Sequence, residues 1–176
     1  MESVKLPQRP VARRILLIRS IGATALNAED NADAARLQAI AEMQPPFVRL
    51  MGTDIIEVSR DRVVAEFVVR EELTNRNGAL HGGVVMAIAD NLGATATFLN
   101  MPKDAGTTTI ESKTNFFAAV PRGDTVRAEC TPLHRGRTTM VWQTRITRGD
   151  GKLAAIVTQT QLITRKDAPP YKGGFL

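Results

Sequence analysis

Cysteine and histidine are nearly missing from this chain of 176 residues, which holds one of the former, Cys130, and two of the latter, His81 and His134. A single thiol closes no intrachain disulfide, and two distant histidines without companion cysteines have no zinc-ligand spacing. Neither a disulfide scaffold nor a metal site is expected, and a cytoplasmic protein fits this usage. Long apolar runs are lacking too. Ile15 to Ile18 and Val84 to Ala89 are the strongest, well short of the roughly 18 residues that suggest a membrane span. Acidic residues are absent between Glu2 and Glu29, a stretch that carries Arg9, Arg13, Arg14 and Arg19 after Lys5. Its apolar centre is too short for a secretory signal. A transit peptide is compatible with this start, but acids return at Glu29, Asp30 and Asp33, which favours a plain basic extension.

An apolar fraction of 43% is enough for one ordinary hydrophobic core. The formal charge of +5 favours anionic partners without choosing among nucleic acid, membrane surface and phosphorylated ligand.

Ala28 to Met43 has apolar residues at helical spacing and is ended by Pro45-Pro46. From Phe47 the pattern changes to β-branched runs at Asp54 to Val58 and Arg62 to Val69, around a Ser59-Arg60-Asp61 turn. Four further strands are predicted at Thr107 to Phe117, Asp124 to His134, Thr138 to Arg148 and Lys152 to Arg165. Pro121-Arg122-Gly123, Arg135-Gly136 and Gly149-Asp150-Gly151 separate them. The organisation expected is a basic extension with a helix (1–46), one α+β domain (47–166) and an irregular tail (167–176).

Between the second and third strands, "GALHGGVVMAIADN" opens a helix that is apolar on nearly every side, so it is expected to be buried by a curved sheet wrapped around it. Asp90 stands in its middle and His81-Gly82-Gly83 at its head. Nine residues separate His81 from Asp90, which is half a turn in direction and roughly 13 Å along the axis, so within one helix the two face apart. If free amides near Gly82 and Gly83 polarise a carbonyl, the carboxylate that acts on it must come from elsewhere. Two such helices, antiparallel in a symmetric dimer, would bring the Asp90 of one chain to the glycines of the other. A structural aspartate and a plain pre-helix turn are the rival readings.

The stretch "NRNGALHGGVVMAIADN" resembles the PaaI-type (phenylacetate-degradation) branch of the hotdog-fold acyl-CoA thioesterases, whose motif is an Asn, an HGG and an Asp nine residues after the His. The resemblance runs from about Phe47 to Lys166 and takes in "NFFAAVPRGD", "HRGRTTM" and "GDGKLAA". It implies a hotdog fold and hydrolysis of an acyl-CoA thioester. The amide of Gly82 or Gly83 would polarise the thioester carbonyl, and Asp90 of the partner subunit would be nucleophile or general base. Asn75 would help hold the thioester or the hydrolytic water, His81 would orient the loop, and Thr109 would position water.

Coenzyme A is part of the substrate, so no cofactor is expected, but its phosphates need basic side chains or amides. Arg135, Gly136 and Arg137 in "HRGRTTM" resemble the Gly-basic segment that borders the nucleotide in this family. For the acyl group, Phe98, Phe116 and Phe117 are the candidate lining. The resemblance implies a homodimer with shared sites, doubled to a homotetramer, and no nucleic-acid partner. The alternative is a non-catalytic acyl-CoA sensor that uses its basic N-terminus for contact with another macromolecule. A hydratase is disfavoured because His134, next to a turn, lacks the surroundings that chemistry needs.

Overall fold

The computed structural model describes residues 35, 39 and 43–165, the last by its backbone alone. Apart from Ala35, Ala39 and Met43, the helix expected over Ala28 to Met43 lies outside the described residues, as do the basic segment before it and the tail after Arg165. In chain order the elements are helix α1 (Pro46–Met51), strands β1 (Asp54–Val58) and β2 (Val63–Val68), a short 3-10 turn (Glu71–Leu73) and helix α2 (Gly82–Asn100). Strands β3 (Ala105–Phe116), β4 (Thr125–Arg135), β5 (Thr139–Thr147) and β6 (Leu153–Arg165) complete the domain.

The six strands form one antiparallel sheet in the order β1-β2-β4-β5-β6-β3. Glycine marks two of the turns, Gly123 between β3 and β4 and Gly151 in the β5–β6 hairpin, at φ of 84° and 82°, a region glycine enters without steric strain. β3 does not join the strand that precedes it. The chain crosses over α2, and β3 becomes the far edge beside β6.

Helix α2 lies against β2, β3, β4, β5 and β6. Its buried positions Val85, Ile88, Ala89, Leu92, Ala96 and Leu99 recur at steps of three and four and meet Phe67, Val126, Ala128, Trp142 and Val157 of the sheet. Trp142 donates its indole N–H to Thr97 Oγ1 at 2.7 Å, so the largest core side chain is also satisfied. By length and composition alone this helix is apolar enough to cross a membrane, although its sequence holds no uninterrupted apolar run of that length. Here it is the core helix of the domain.

Burial of α2 is not complete, contrary to its all-round apolar composition. Gly83, Met86, Asp90 and Phe98 form an exposed stripe, with Met86 42% and Phe98 46% exposed. Strands β2 to β6 cover one side of the helix, and among the described residues the other side stays open next to β3. β3 itself is a 12-residue edge strand whose residues Thr108 to Lys113 are exposed. An edge of that length, uninterrupted by proline, is an open template for strand pairing.

A bulge at Ile110 resets the alternation of β3. Thr109 pairs with Gln161 and Glu111 with Thr160, so one extra residue is accommodated between them. Thr107 and Thr109 before the bulge, and Ser112, Thr114 and Phe116 after it, therefore share the helix-facing side with the partners Gln161, Gln159, Val157 and Ala155.

Candidate active site

The head of α2 is delivered by a closed loop. Asn75 N–H donates to Ala79 O at 2.8 Å and Gly78 N–H to Asn75 O at 3.0 Å. Asn75 Oδ1 accepts from the amides of Asn77 (2.9 Å) and Ala79 (3.3 Å). The carboxamide oxygen is thus spent on the turn, its Nδ2 has no acceptor among the described residues, and Asn75 is among the residues that line a surface cavity. His81 N–H reaches Leu73 O at 2.8 Å and anchors the residue that caps the helix.

That cap decides which glycine amide is free. His81 Nδ1 accepts from Gly83 N–H at 2.9 Å, which requires the neutral ring with its proton on Nε2. Gly82 is the first helical residue, and its N–H has no acceptor among the described residues. It lines a cavity of about 440 Å³ together with Asn75, Ala79, Leu80, Phe116 and Phe117. A Cβ on Gly82 would stand 3.1 Å from Phe116 Cζ, so the missing side chain is what lets the ring lie against the backbone. Phe98 does not line this cavity.

Asp90 is elsewhere. It sits eight residues along the same helix from Gly82, roughly 12 Å away along the axis, and it is exposed and outside the cavity lining. Thr109 Oγ1 donates to Asp90 Oδ1 at 2.8 Å, and Gln159 Nε2 donates to the same oxygen. Thr109 Oγ1 in turn accepts from Gln159 Nε2 at 3.0 Å and from Gln161 Nε2 at 2.8 Å. Its proton and both lone pairs are committed, so Thr109 has no hydrogen bond of its own left for the water that the resemblance would have it position. Thr107 Oγ1 closes the network by donating to Gln161 Oε1 at 3.0 Å.

Gln159 and Gln161, 2% and 0% exposed, were not anticipated as site residues. Their signal was present: two glutamines at alternate positions in "IVTQTQL" occupy the face a core strand fills with apolar residues. Gly93, one turn beyond Asp90, belongs with them, since a Cβ there would lie 2.5 Å from Gln159 Oε1.

The basic turn is divided in use. Arg135 is held by Asp61 and lies over Trp142 with its guanidinium carbon 5.8 Å from the ring centroid. Gly136 is pinned, its N–H donating to Thr139 O at 2.8 Å. Exposed Arg137 forms no ion pair among the described residues. Thr138 O accepts from Ile163 N–H, which places this turn near the start of β3, at the Thr109 end, whereas the cavity lies at the Phe116 end. Among the described residues no group of three or more His, Cys, Asp or Glu side chains is placed to hold a metal ion. One chain therefore carries two separate groups of candidate residues: an amide with a cavity, and a carboxylate towards the end of the sheet that holds the basic turn.

Residues 77–155 match the Thioesterase superfamily. A protein of Mycobacterium tuberculosis that carries an esterase name is 30% identical over 113 residues, covering 62% of this chain and 80% of that one. The 1,4-dihydroxy-2-naphthoyl-CoA hydrolase of Listeria monocytogenes is 28% identical over 116 residues, 66% of this chain and 94% of the relative. Among solved structures, the PaaI protein of the E. coli phenylacetic acid degradation operon aligns with a TM-score of 0.67 at 21% identity, covering 74% of this chain and 93% of its own; this likeness is one of fold. The sheet wrapped around one long helix is accordingly the hotdog fold.

Proposed function

The chain belongs to the thioesterase superfamily, and from that premise we propose that it hydrolyses an acyl-CoA thioester to free acid and coenzyme A in a homodimer whose two active sites are each built from both subunits. The observation that carries the reading is the separation of the half-sites. Gly82 and Asp90 are too far apart along one helix to act on one carbonyl, yet the stripe of Gly83, Met86 and Asp90 is open to a second helix. A two-fold axis at Met86, midway between residues 82 and 90, brings the partner's Asp90 to Gly82. The same axis passes near Ser112 and Lys113, midway between Thr109 and Phe116 on the exposed edge of β3, so helix pairing and edge pairing agree.

In this arrangement the thioester carbonyl accepts from Gly82 N–H, where the positive end of the helix dipole supports developing negative charge. Asn75 Nδ2 is placed to hold the thioester or water. Asp90 across the interface is nucleophile or general base. In either role the net change is addition of one water across the C–S bond, whose electron pair leaves with the CoA sulfur. Apolar walls from Phe116, Phe117, Ala79 and Leu80 suit an aryl or compact acyl group. The two-fold operation also carries the basic turn, Arg135 to Arg137, towards the partner's cavity, where Arg137 is free to meet the CoA phosphates. The CoA thioester in the name of the Listeria relative supports that choice of leaving group. A tetramer of two such dimers is proposed with it.

The test is release of free thiol from a panel of aryl- and alkyl-CoA thioesters by wild type and Asp90→Ala, matched for oligomeric state. Turnover by wild type with a loss of orders of magnitude in the variant supports the reading. A wild type that binds acyl-CoA without releasing thiol overturns it in favour of a sensor, and an active monomer in light scattering overturns the shared site.

A further inference from the structure

Resting on the hydrolytic reading above, we propose that Gln159 is a positioning residue that selects which oxygen of Asp90 reacts. Both donors to the carboxylate, Thr109 Oγ1 and Gln159 Nε2, go to Oδ1. Oδ2 has no donor among the described residues and is the oxygen left for substrate or water at the exposed face of α2.

The direction of every bond in the cluster follows from donor and acceptor inventory. Gln159 uses its two amide hydrogens on Asp90 Oδ1 and Thr109 Oγ1. Gln161 supplies the second bond to Thr109 Oγ1, so the Thr109 proton has only Asp90 to go to. Turning the Gln159 amide over would set its oxygen against the carboxylate oxygen, so the carboxylate dictates the orientation. The consequence is an orphan: among the described residues Gln159 Oε1 is buried without a partner, against the open side of Gly93. An unsatisfied buried carbonyl opposes stability, and a residue kept for packing alone would be better replaced by an apolar side chain of the same length. Gln159 has the pattern of a side chain retained for what it does to Asp90.

Gly93 is the second half of the device. Any side chain there meets Gln159 Oε1 before it meets anything else, and it pushes the amide off its aim without touching Asp90. Of the groups that touch Gln159, Asp90 from α2 is the charged one; β3 contributes the Thr109 hydroxyl, and β5 contributes Trp142 opposite it in register.

The experiment compares full-length Gln159→Met, Gln159→Glu and Gly93→Ala with wild type, using whichever thioester of the panel wild type turns over fastest, and measures kcat, KM, Tm and the pH profile. Loss of aim by about an ångström predicts a fall in kcat of about 10–100-fold in Gln159→Met, with KM within twofold and Tm equal to or above wild type. Gly93→Ala reproduces the fall in kcat. In Gln159→Glu the side chain donates only when protonated, so relative activity rises as the pH is lowered, a trend wild type lacks. Unchanged kcat in Gln159→Met and Gly93→Ala overturns the proposal, as does a kcat loss that tracks a fall in Tm. If wild type and Asp90→Ala are both silent on every thioester, the hydrolytic reading has failed instead; if wild type is active and Asp90→Ala is not, only the role of Gln159 is at stake.

Discussion

Replacing Gly82 by proline takes the free amide N–H out of the proposed site and tests the two-subunit architecture directly. Gly82 is the first residue of α2, where proline is tolerated because its missing N–H has no helical acceptor to lose. His81, before it, already has φ −67° and ψ 134°, an extended conformation that a following proline requires. The ring adds atoms 3.1 Å from the tip of Phe116, an end that can shift by tenths of an ångström. Folding should survive, while the carbonyl loses its amide donor, which lowers kcat by about 10²–10³. Asp90→Ala disables the other half-site.

Co-expression of the two variants with different affinity tags, in equal amounts, yields one half heterodimers by random pairing. In each heterodimer one site combines an intact Gly82 with an intact Asp90, and the other site carries both lesions. The mixture should therefore recover about a quarter of wild-type thiol release per subunit, and a doubly tagged dimer, isolated as a dimer, about half, although each parent is nearly silent. A site contained within one chain predicts no recovery, because every site in the mixture then holds one lesion. Doubly tagged dimer no more active than its parents refutes the shared-site geometry.

Leu92→Ala, at a fully buried core position of α2, should destabilise the domain by about 2–5 kcal/mol in urea unfolding; a loss below 1 kcal/mol would place Leu92 outside the core. Arg137→Ala should raise KM for CoA thioesters several-fold with kcat retained, whereas salt should weaken wild type more than the variant; equal salt dependence in the two removes Arg137 from phosphate contact. Burial pushes the Cys130 thiol up from 9.0 to about 12, the Thr144 hydrogen bond pulling slightly the other way. The folded state then keeps its proton more tightly than the unfolded one, so the thiol leaves stability unchanged below pH 9 and lowers it as the pH rises towards 12. A urea midpoint that falls between pH 8 and pH 10 less steeply in Cys130→Ala than in wild type is the expected result. Thiol reagents at pH 8 should label Cys130 only after unfolding.

Much of the fold was legible because it rests on short-range signals. Strand alternation and the glycine and proline turns place β1 to β6 within one or two residues of where they stand, and the apolar run of α2 places the long helix between β2 and β3. The separation of Gly82 from Asp90 was also readable from helix geometry, since eight or nine residues along one axis set distance and direction without reference to anything else. What was not legible depends on the crossover of β3. Asp90 meets Thr109 and Gln159 only because β3 passes beyond α2 to pair with β6, joining residues 69 positions apart. The Ile110 bulge then turns the hydroxyl face of β3 to the helix, which no strict alternation would place there.

By itself, then, the sequence determined the elements, the apolar face of α2 and the separation of Asp90 from the helix head, all consequences of local periodicity. Tertiary structure alone decided which amide is free, by aiming His81 at Gly83; which arginine is free, by setting Asp61 beside Arg135; and which carboxylate oxygen is free, by bringing Gln159 under Asp90. Each of these turns on a hydrogen bond or ion pair whose geometry exists only after the backbone has closed, and side-chain direction at that scale is not written in spacing.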